Sequence, residues 1–174
     1  MVEARSRALT LLTTGLLLCL AYTMWLPSPL PSGVKADRVV VRKRERWLRL
    51  MQGEVVLKSY RVALGWDPAG HKQREGDGRT PEGHYVLDWR NPESRFHLSL
   101  HVSYPDAADV EQADAAGVSP GGDIMIHGFR NGSSWLGRLY HWRDWTNGCI
   151  AVTDTAIEEI WRAVDDGTPI DIEP

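Results

Sequence analysis

Cysteine is scarce in this sequence, and its scarcity excludes a domain held together by internal disulfide bonds. Cys19 and Cys149 are the two cysteines among 174 residues, and Cys19 lies in an apolar N-terminal run from which it cannot bridge to Cys149. The motifs HExxH, CxxC and GxSxG are absent, so neither a zinc centre nor a serine nucleophile is indicated. The formal net charge of −3 provides no basic surface for nucleic acid. We expect no metal, no cofactor and no nucleic-acid partner.

The N-terminal run points to a membrane. It is uncharged from Ala8 to Leu26, follows two arginines and ends at a proline cluster. About 20 apolar residues cross a bilayer, so residues 1–30 can form an anchor that keeps its arginines in the cytoplasm. A cleaved signal peptide is the alternative, with Ala36 in the stretch VKA as the small residue that cleavage needs. A buried helix fits less well, because the prolines break the run. We favour the anchor, and either way the remainder is expected in the periplasm.

The rest of the chain has the pattern of one β-rich domain. Residues 31–37 form a proline-rich linker, and residues 38–174 have the length of a single domain. β-Branched runs and period-two alternation predict strands. The predicted strands are RVVVRK, RWLRLMQ, EVVLKSYRVALG, HYVLDW, FHLSLHVSY, GDIMIHGF, CIAV and PIDIEP. Residues 106–122 are interpreted as a polar connection. The fold class is therefore mostly β, a β-rich mixed sheet or sandwich with one C-terminal helix.

That helix is predicted from an apolar stripe at helical spacing over residues 156–164. Residues 153–155 offer capping groups at its start, and Thr155 with Glu158 matches a capping box. Gly167 is expected to stop the helix, and the proline that follows prevents its resumption.

Cys149, in the stretch DWTNGCIAV, has no partner for a disulfide within the domain. An unpaired cysteine outside the cytoplasm is a reactive thiol, an intermolecular bridge or a small buried apolar residue. The preceding Gly148 lacks a Cβ, which lets a substrate carbonyl and backbone N–H groups approach the sulfur. The flanking polar, turn-like residues indicate a surface cleft.

A thiol nucleophile needs a base, and His127 is the candidate. His127 ends a predicted strand 22 residues before Cys149. If the two residues stand at the ends of neighbouring strands joined by one connecting segment, their side chains can come within hydrogen-bond distance. The structural alternative is a strand-end histidine bonded to a carbonyl. The other histidines of the domain are interpreted as surface or loop residues: His71, His84, His97, His101 and His141.

These residues match a known family. IMIHGF followed by DWTNGCIAV resembles the catalytic signature of the L,D-transpeptidases of bacterial cell walls, the YkuD-type domain, in which His-Gly precedes Ser/Thr-x-Gly-Cys by some twenty residues. REGDGRTPEGHY and VDDGTPIDI are also similar to parts of that domain, and the resemblance covers residues 38–174. It implies a mostly β catalytic domain that acts on peptidoglycan stem peptides in cell-wall biogenesis and cell shape.

The resemblance also implies roles for individual residues. Cys149 attacks the carbonyl of the third residue of a tetrapeptide and expels the terminal D-alanine, and His127 is the general base and acid. The backbone carbonyl of Gly128 orients the His127 ring. The backbone N–H groups of Gly148 and Cys149 form the oxyanion hole. An amine then resolves the thioester into a 3→3 cross-link, or water hydrolyses it.

The sequence departs from the family pattern at two positions near the nucleophile. Ala151 stands where many members have arginine, and Asn147 where many have histidine. We expect Asn147, Arg143 and Trp145 to contact substrate. The segment 135–145 can form a second helix or a lid, or its tryptophans and arginines can form a packed cluster with solvated charges. The residues concerned are Trp135, Arg138, Trp142, Arg143 and Trp145.

Other functions use the same sequence features. An L,D-carboxypeptidase, or a protease that detaches a wall-linked protein, shares the Cys149 and His127 site and differs in the acceptor that reaches the thioester. A non-catalytic wall-binding module does not need the thiol. A bridging thiol produces covalent dimers. The expected partners are stem peptides and, through the N-terminal segment, the inner membrane.

Overall fold

The computed structural model of the protein describes residues 28–136 and 143–174. Within these ranges the chain forms eight strands, two α-helices and one short 3-10 turn. The strands are β1 (Arg38–Arg42), β2 (Trp47–Gln52), β3 (Val55–Arg61), β4 (Gly83–Asn91), β5 (Ser99–Val102), β6 (Met125–His127), β7 (Ile150–Ala151) and β8 (Thr168–Glu173). The helices are α1 (Ala107–Ala115) and α2 (Asp154–Ala163), and the 3-10 turn is Ser134–Leu136.

All eight strands belong to one mixed sheet in the order β3-β2-β1-β8-β4-β5-β6-β7. The β1–β8 and β6–β7 pairs are parallel, and the other neighbours are antiparallel. The chain that continues β3 returns to β7, where Ala63 and Ala151 exchange two backbone hydrogen bonds of 2.9 and 2.8 Å. The two ends of the strand order therefore meet, and the sheet curls onto itself.

The core lies inside this curl and under α2. The alternating side chains of β1, β2 and β8 are fully buried, and they meet the apolar stripe of α2. The buried residues include Val39, Val41, Leu48, Leu50, Ile157, Ile160, Ile170 and Ile172. The predicted mostly β class, with a C-terminal helix over an apolar core, is confirmed.

Helix α1 was not predicted, because residues 106–122 were interpreted as a connection. Asp106 caps this helix: its side chain accepts from the N–H groups of Ala108 and Asp109, and the Asp109 carboxylate accepts from the Asp106 N–H. Only Asp109 and Ala113 are buried on the helix. A helix without an apolar stripe has no hydrophobic periodicity by which it can be predicted. The capping residues Asp106 and Asp109 were the remaining sign of a helix in this segment.

The ends of α2 also differ from the prediction. Its N-cap is Thr153, whose hydroxyl accepts from the Ala156 N–H at 3.1 Å, so the Thr155 capping box does not form. The helix ends at Ala163, before Gly167. The Arg90 guanidinium caps the C-terminal end of the helix by donating to the carbonyls of Trp161 and Val164 at 3.2 and 2.9 Å.

Strand β5 begins at Ser99, three residues later than Phe96, where the strand was expected to start. His97 has a φ of 67°, in the left-handed region, which interrupts extended backbone. The Phe96 side chain is therefore released from the sheet and turns toward His127, with ring centroids 4.6 Å apart.

The predicted membrane anchor or signal peptide falls mainly on residues 1–27, outside the described part of the chain. Neither described range contains a helix with the length and hydropathy needed to cross a bilayer. The last residue of the expected anchor segment, Leu30, and the expected linker of residues 31–37 both contact the domain. The Leu30 N–H donates to Glu159 at 3.2 Å, and Ala36 is buried with its N–H on the Ala163 carbonyl.

Candidate active site

A cleft of about 600 Å³ opens over the β5, β6 and β7 end of the sheet. It contains the two residues expected to carry the chemistry, Cys149 and His127, together with a mixture of aromatic, polar and charged side chains. The remaining lining residues are Asn91, Glu93, Ser94, Arg95, Phe96, Ser99, Asp123, Met125, Trp145, Thr146 and Asn147.

Strand register brings Cys149 and His127 to the same place. Strands β6 and β7 are parallel, with Ile126 opposite Ile150 and His127 opposite Ala151. Side chains alternate between the faces of a sheet, so Cys149, one residue before β7, shares a face with His127 on the neighbouring strand. Both line the cleft, while Ile126 and Ile150 face the core.

The His127 ring is fixed by a backbone carbonyl and two aromatic rings. Its Nδ1 lies 2.6 Å from the Gly128 carbonyl oxygen, which accepts, so Nδ1 carries the proton and Nε2 is the basic nitrogen. Phe96 and Trp145 have ring centroids 4.6 and 5.8 Å away. Burial lowers the pKa of His127, opposed by the Gly128 hydrogen bond, so the imidazole stays neutral and able to accept a proton.

Gly128 fits its position because α2 begins against it. A Cβ there would lie 2.7 Å from Asp154 Oδ1 and 3.1 Å from Ile157. The same Asp154 oxygen accepts from the Phe129 N–H at 2.8 Å, and the Val152 N–H donates to the His127 carbonyl at 2.9 Å. The first residue of α2 and the chain that leads into the helix thus hold the backbone on both sides of Gly128.

Cys149 is half-buried, with Sγ 3.5 Å from the Asp123 carbonyl oxygen. Burial, which has the largest effect, and the negative charge of Asp123 raise the pKa of the Cys149 thiol. A hydrogen bond from the Met125 backbone and the positive charge of Lys72 lower this pKa. The net direction is upward. The sulfur is therefore a thiol at neutral pH and needs a base to become a nucleophile.

Thr146 holds the turn that presents the thiol. Its hydroxyl donates to the Cys149 carbonyl at 2.7 Å and accepts from the Gly148 N–H at 3.1 Å. Gly148 has a φ of 126°, and a Cβ there would lie 2.7 Å from the Arg79 carbonyl oxygen. The Gly148 N–H, expected in an oxyanion hole, donates instead to Thr146, which leaves the Cys149 N–H as the candidate for that role. The role of Thr146 was missed, although its place in Thr-x-Gly-Cys was a signal.

The loop of residues 66–82 packs against the turn that contains Gly148 and Cys149. The Gly65 N–H donates to Thr80 Oγ1 at 3.1 Å, next to the Arg79 carbonyl that faces Gly148. The buried ammonium of Lys43 ties both ends of the loop, donating to the carbonyls of Gly70 and Thr80 and to Glu82 at 2.6, 2.7 and 2.9 Å. Burial lowers the pKa of Lys43, opposed by Glu82.

The three residues expected to contact substrate differ in their positions relative to the cleft. Trp145 and Asn147 line the cleft, whereas Arg143 is exposed and is not among the lining residues. Trp135 is 81% exposed on the 3-10 turn. Arg138, His141 and Trp142 lie outside the described residues, so the choice between a helix, a lid and a packed cluster for this segment stays a prediction.

The other described histidines pair with carboxylates away from Cys149. Their partners are Asp109 for His71, Asp171 for His84, Glu158 for His97 and Asp88 for His101. Across residues 28–136 and 143–174, no three His, Cys, Asp or Glu side chains converge in a way that could hold a metal ion.

Comparison with known proteins identifies related sequences. The sequence profile of the YkuD L,D-transpeptidase catalytic domain matches residues 36–172. The YafK protein of Escherichia coli strain K12, an L,D-transpeptidase by name, is 32% identical over 134 residues, which are 72% of this chain and 46% of YafK. The chain therefore spans about half the length of the curated relatives it matches.

Solved structures share the fold. The helical cell shape determining protein Pgp2 of Campylobacter jejuni superposes with a TM-score of 0.62 and 25% identity, over 84% of this chain and 52% of Pgp2. Bd1075 of Bdellovibrio bacteriovorus gives 0.55 at 23% identity, over 84% of this chain and 52% of its own. L,D-transpeptidase 3 of Mycobacterium tuberculosis gives 0.51 at 13% identity, over 80% and 60%. At these last two identities the likeness concerns the fold alone.

Proposed function

The chain belongs to the YkuD family of L,D-transpeptidase catalytic domains, and on that premise we propose that it is a cysteine-dependent L,D-transpeptidase acting on peptidoglycan stem peptides. One observation carries the proposal. Cys149 and His127 line one cleft from adjacent parallel strands, and the His127 Nδ1 is held by the Gly128 carbonyl so that Nε2 is the basic nitrogen.

In the proposed acylation step, His127 Nε2 takes the thiol proton as Cys149 Sγ bonds to the carbonyl carbon of the third stem residue. The Cys149 N–H stabilises the oxygen that becomes negative. The bond from that carbon to the D-alanine nitrogen then breaks, and His127 returns the proton to the departing amine. The product is a thioester on Cys149 and free D-alanine.

The second step decides between transfer and hydrolysis. An amine of another stem peptide gives its proton to His127, bonds to the thioester carbon and releases Cys149, forming a 3→3 cross-link or a related amide. Water in the same position forms a free tripeptide. We assign the amine as the preferred acceptor because of the family to which the chain belongs.

The cell compartment follows from the substrate. Stem peptides lie outside the inner membrane, so the domain acts there, either anchored through residues 1–30 or released by cleavage. Pgp2 is named for determining helical cell shape, and we extend a role in cell-wall shape to this chain on that likeness.

The test is product analysis after the full chain is incubated with a disaccharide-tetrapeptide. Release of D-alanine together with 3→3 dimers supports the transpeptidase, and release without dimers supports the carboxypeptidase instead. Cys149→Ala and His127→Ala are expected to abolish release. His84→Ala is the matched control, because His84 is 91% exposed and paired with Asp171. Unchanged release from Cys149→Ala would contradict the proposal.

A further inference from the structure

An exposed aromatic platform lies beside the cleft, outside the residues that line it. Between Leu87 and Arg90, strand β4 has a bulge that sets both Asp88 and Trp89 opposite His101 on β5. The Trp89 indole stacks on the His101 ring, with centroids 4.9 Å apart and planes within 18°. Asp88 Oδ1 lies 2.6 Å from His101 Nδ1 and holds the imidazole in place.

Strand register makes the platform continuous with the cleft floor. His101 is opposite Met125 in the β5–β6 pair, and the β6–β7 register sets Met125 opposite Cys149. Directly opposed side chains share a face, so His101, Met125 and Cys149 form one row across three strands. Met125 is a cleft residue, and the platform begins where the cleft ends.

The chemistry of the platform is that of a sugar-binding surface. Trp89 is 42% exposed although one face of its indole is covered by His101, so a flat apolar face is left open to solvent. The C–H groups on one face of a pyranose ring pack on such a surface, and the ring hydroxyls seek acceptors at its edge. The Asp88 side chain, 43% exposed, offers a carboxylate there.

The spacing matches the proposed substrate. Two interstrand spacings of about 4.8 Å, about 10 Å in all, separate His101 from Cys149. The open face of Trp89 lies beyond the His101 ring, whose centroid is 4.9 Å from that of Trp89. The first three residues of an extended stem peptide span about 10 Å from the sulfur, and the lactyl group that joins the first residue to the sugar provides the additional length. The sugar thus reaches the platform when the peptide runs along the row from Cys149.

We propose that Trp89, stacked on His101 and flanked by Asp88, is a saccharide subsite that binds the N-acetylated sugar bearing the stem peptide. This rests on the proposed function for the choice of substrate. It adds that the protein prefers stem peptides still attached to glycan over free peptides.

The test measures binding to full-length Cys149→Ala protein, which requires no turnover. Two probes are titrated by calorimetry: a disaccharide-tetrapeptide and the free tetrapeptide. We expect Trp89→Ala to weaken binding of the disaccharide-tetrapeptide by about tenfold and to leave the tetrapeptide unchanged. Trp89→Phe, which keeps an aromatic face, restores most of the loss.

Trp47→Ala is the matched control, because Trp47 lies on β2 with its ring against the Arg61 guanidinium and is not among the residues that line the cleft. Equal weakening of both probes by Trp89→Ala, no weakening of either, or no affinity difference between the probes in the parent overturns the subsite. Absence of D-alanine release from the wild-type chain overturns the proposed function instead, and the two failures are therefore distinguishable.

Discussion

At the residue scale, the Thr146 hydroxyl serves two backbone groups of the turn that presents the nucleophile. It donates to the Cys149 carbonyl and accepts from the Gly148 N–H. Thr146 is buried, so water cannot easily take the place of the hydroxyl in a variant that lacks it. The geometry of the thiol therefore depends on a residue that takes no part in the chemistry.

Thr146→Val keeps the shape of the side chain and removes both hydrogen bonds. We expect a loss of about 1–3 kcal/mol in the free energy of unfolding, measured in urea, and a fall in the acylation rate of at least about tenfold. Thr146→Ser keeps the hydroxyl and is expected to retain most of both. Equal behaviour of the two variants would argue against this function of the hydroxyl.

The pH dependence of acylation follows from the two shifted groups. Neutral His127 is the active form, and burial lowers its pKa below the ordinary 6.5. The rate is therefore expected to rise with pH along a limb centred below 6.5 and to be level near neutrality. Pre-steady-state D-alanine release across pH 4–8, roughly the range over which an imidazole with a lowered pKa titrates, measures the limb. A limb centred above the ordinary histidine value would contradict the lowered pKa.

Alkylation of Cys149 by iodoacetamide tests the other group. Burial raises the pKa of the thiol, so we expect slow alkylation at neutral pH and an increase in the alkaline range, above the ordinary value for cysteine. Mass spectrometry of the protein at timed intervals follows the reaction. Fast alkylation in mild acid would instead indicate a preformed thiolate–imidazolium pair.

At the element scale, the loop of residues 66–82 keeps its shape through one buried lysine. Lys43 reaches Gly70, Thr80 and Glu82, and the loop in turn contacts Gly148 through Arg79. The loop is thus an extension of the active site, although it contributes no residue to the cleft lining.

Lys43→Met leaves Glu82 and two carbonyls without their ammonium. Breaking a buried pair by removing one partner costs about 3–5 kcal/mol, and we expect a loss near that range in urea unfolding with lower D-alanine release. Lys35→Met is the control, because Lys35 and its partner Asp165 are 52% and 69% exposed. An exposed pair contributes about 0–1 kcal/mol. Similar losses of unfolding free energy in the two variants would contradict the claim that the buried Lys43 ammonium stabilises the loop.

At the scale of the whole molecule, the curled sheet depends on contacts between distant parts of the chain. The pair Ala63 and Ala151 joins the chain after β3 to β7, at the strand that follows Cys149. The nucleophile therefore stands at the closure of the sheet, which limits the motion of its backbone.

Much of this arrangement could be predicted from the sequence because its signals are local. Alternation predicted the strands, and the spacing of His127 from Cys149 predicted neighbouring strand ends. The support from Lys43 and the loop 66–82 could not be predicted, since those contacts join residues far apart in the chain. Helix α1 was missed because it has no apolar stripe, and the contact of Phe96 with His127 was missed because the left-handed backbone of His97 interrupts the strand expected to start at Phe96.

The central claim is that Cys149 carries the acyl group, and one measurement tests it directly. The full chain is incubated with a disaccharide-tetrapeptide, quenched in acid and analysed by intact mass and peptide mapping. The account predicts an adduct of the disaccharide-tripeptide acyl group on the peptide that contains Cys149, and no adduct in Cys149→Ala. An adduct on another residue, or D-alanine release that survives in Cys149→Ala, would contradict it.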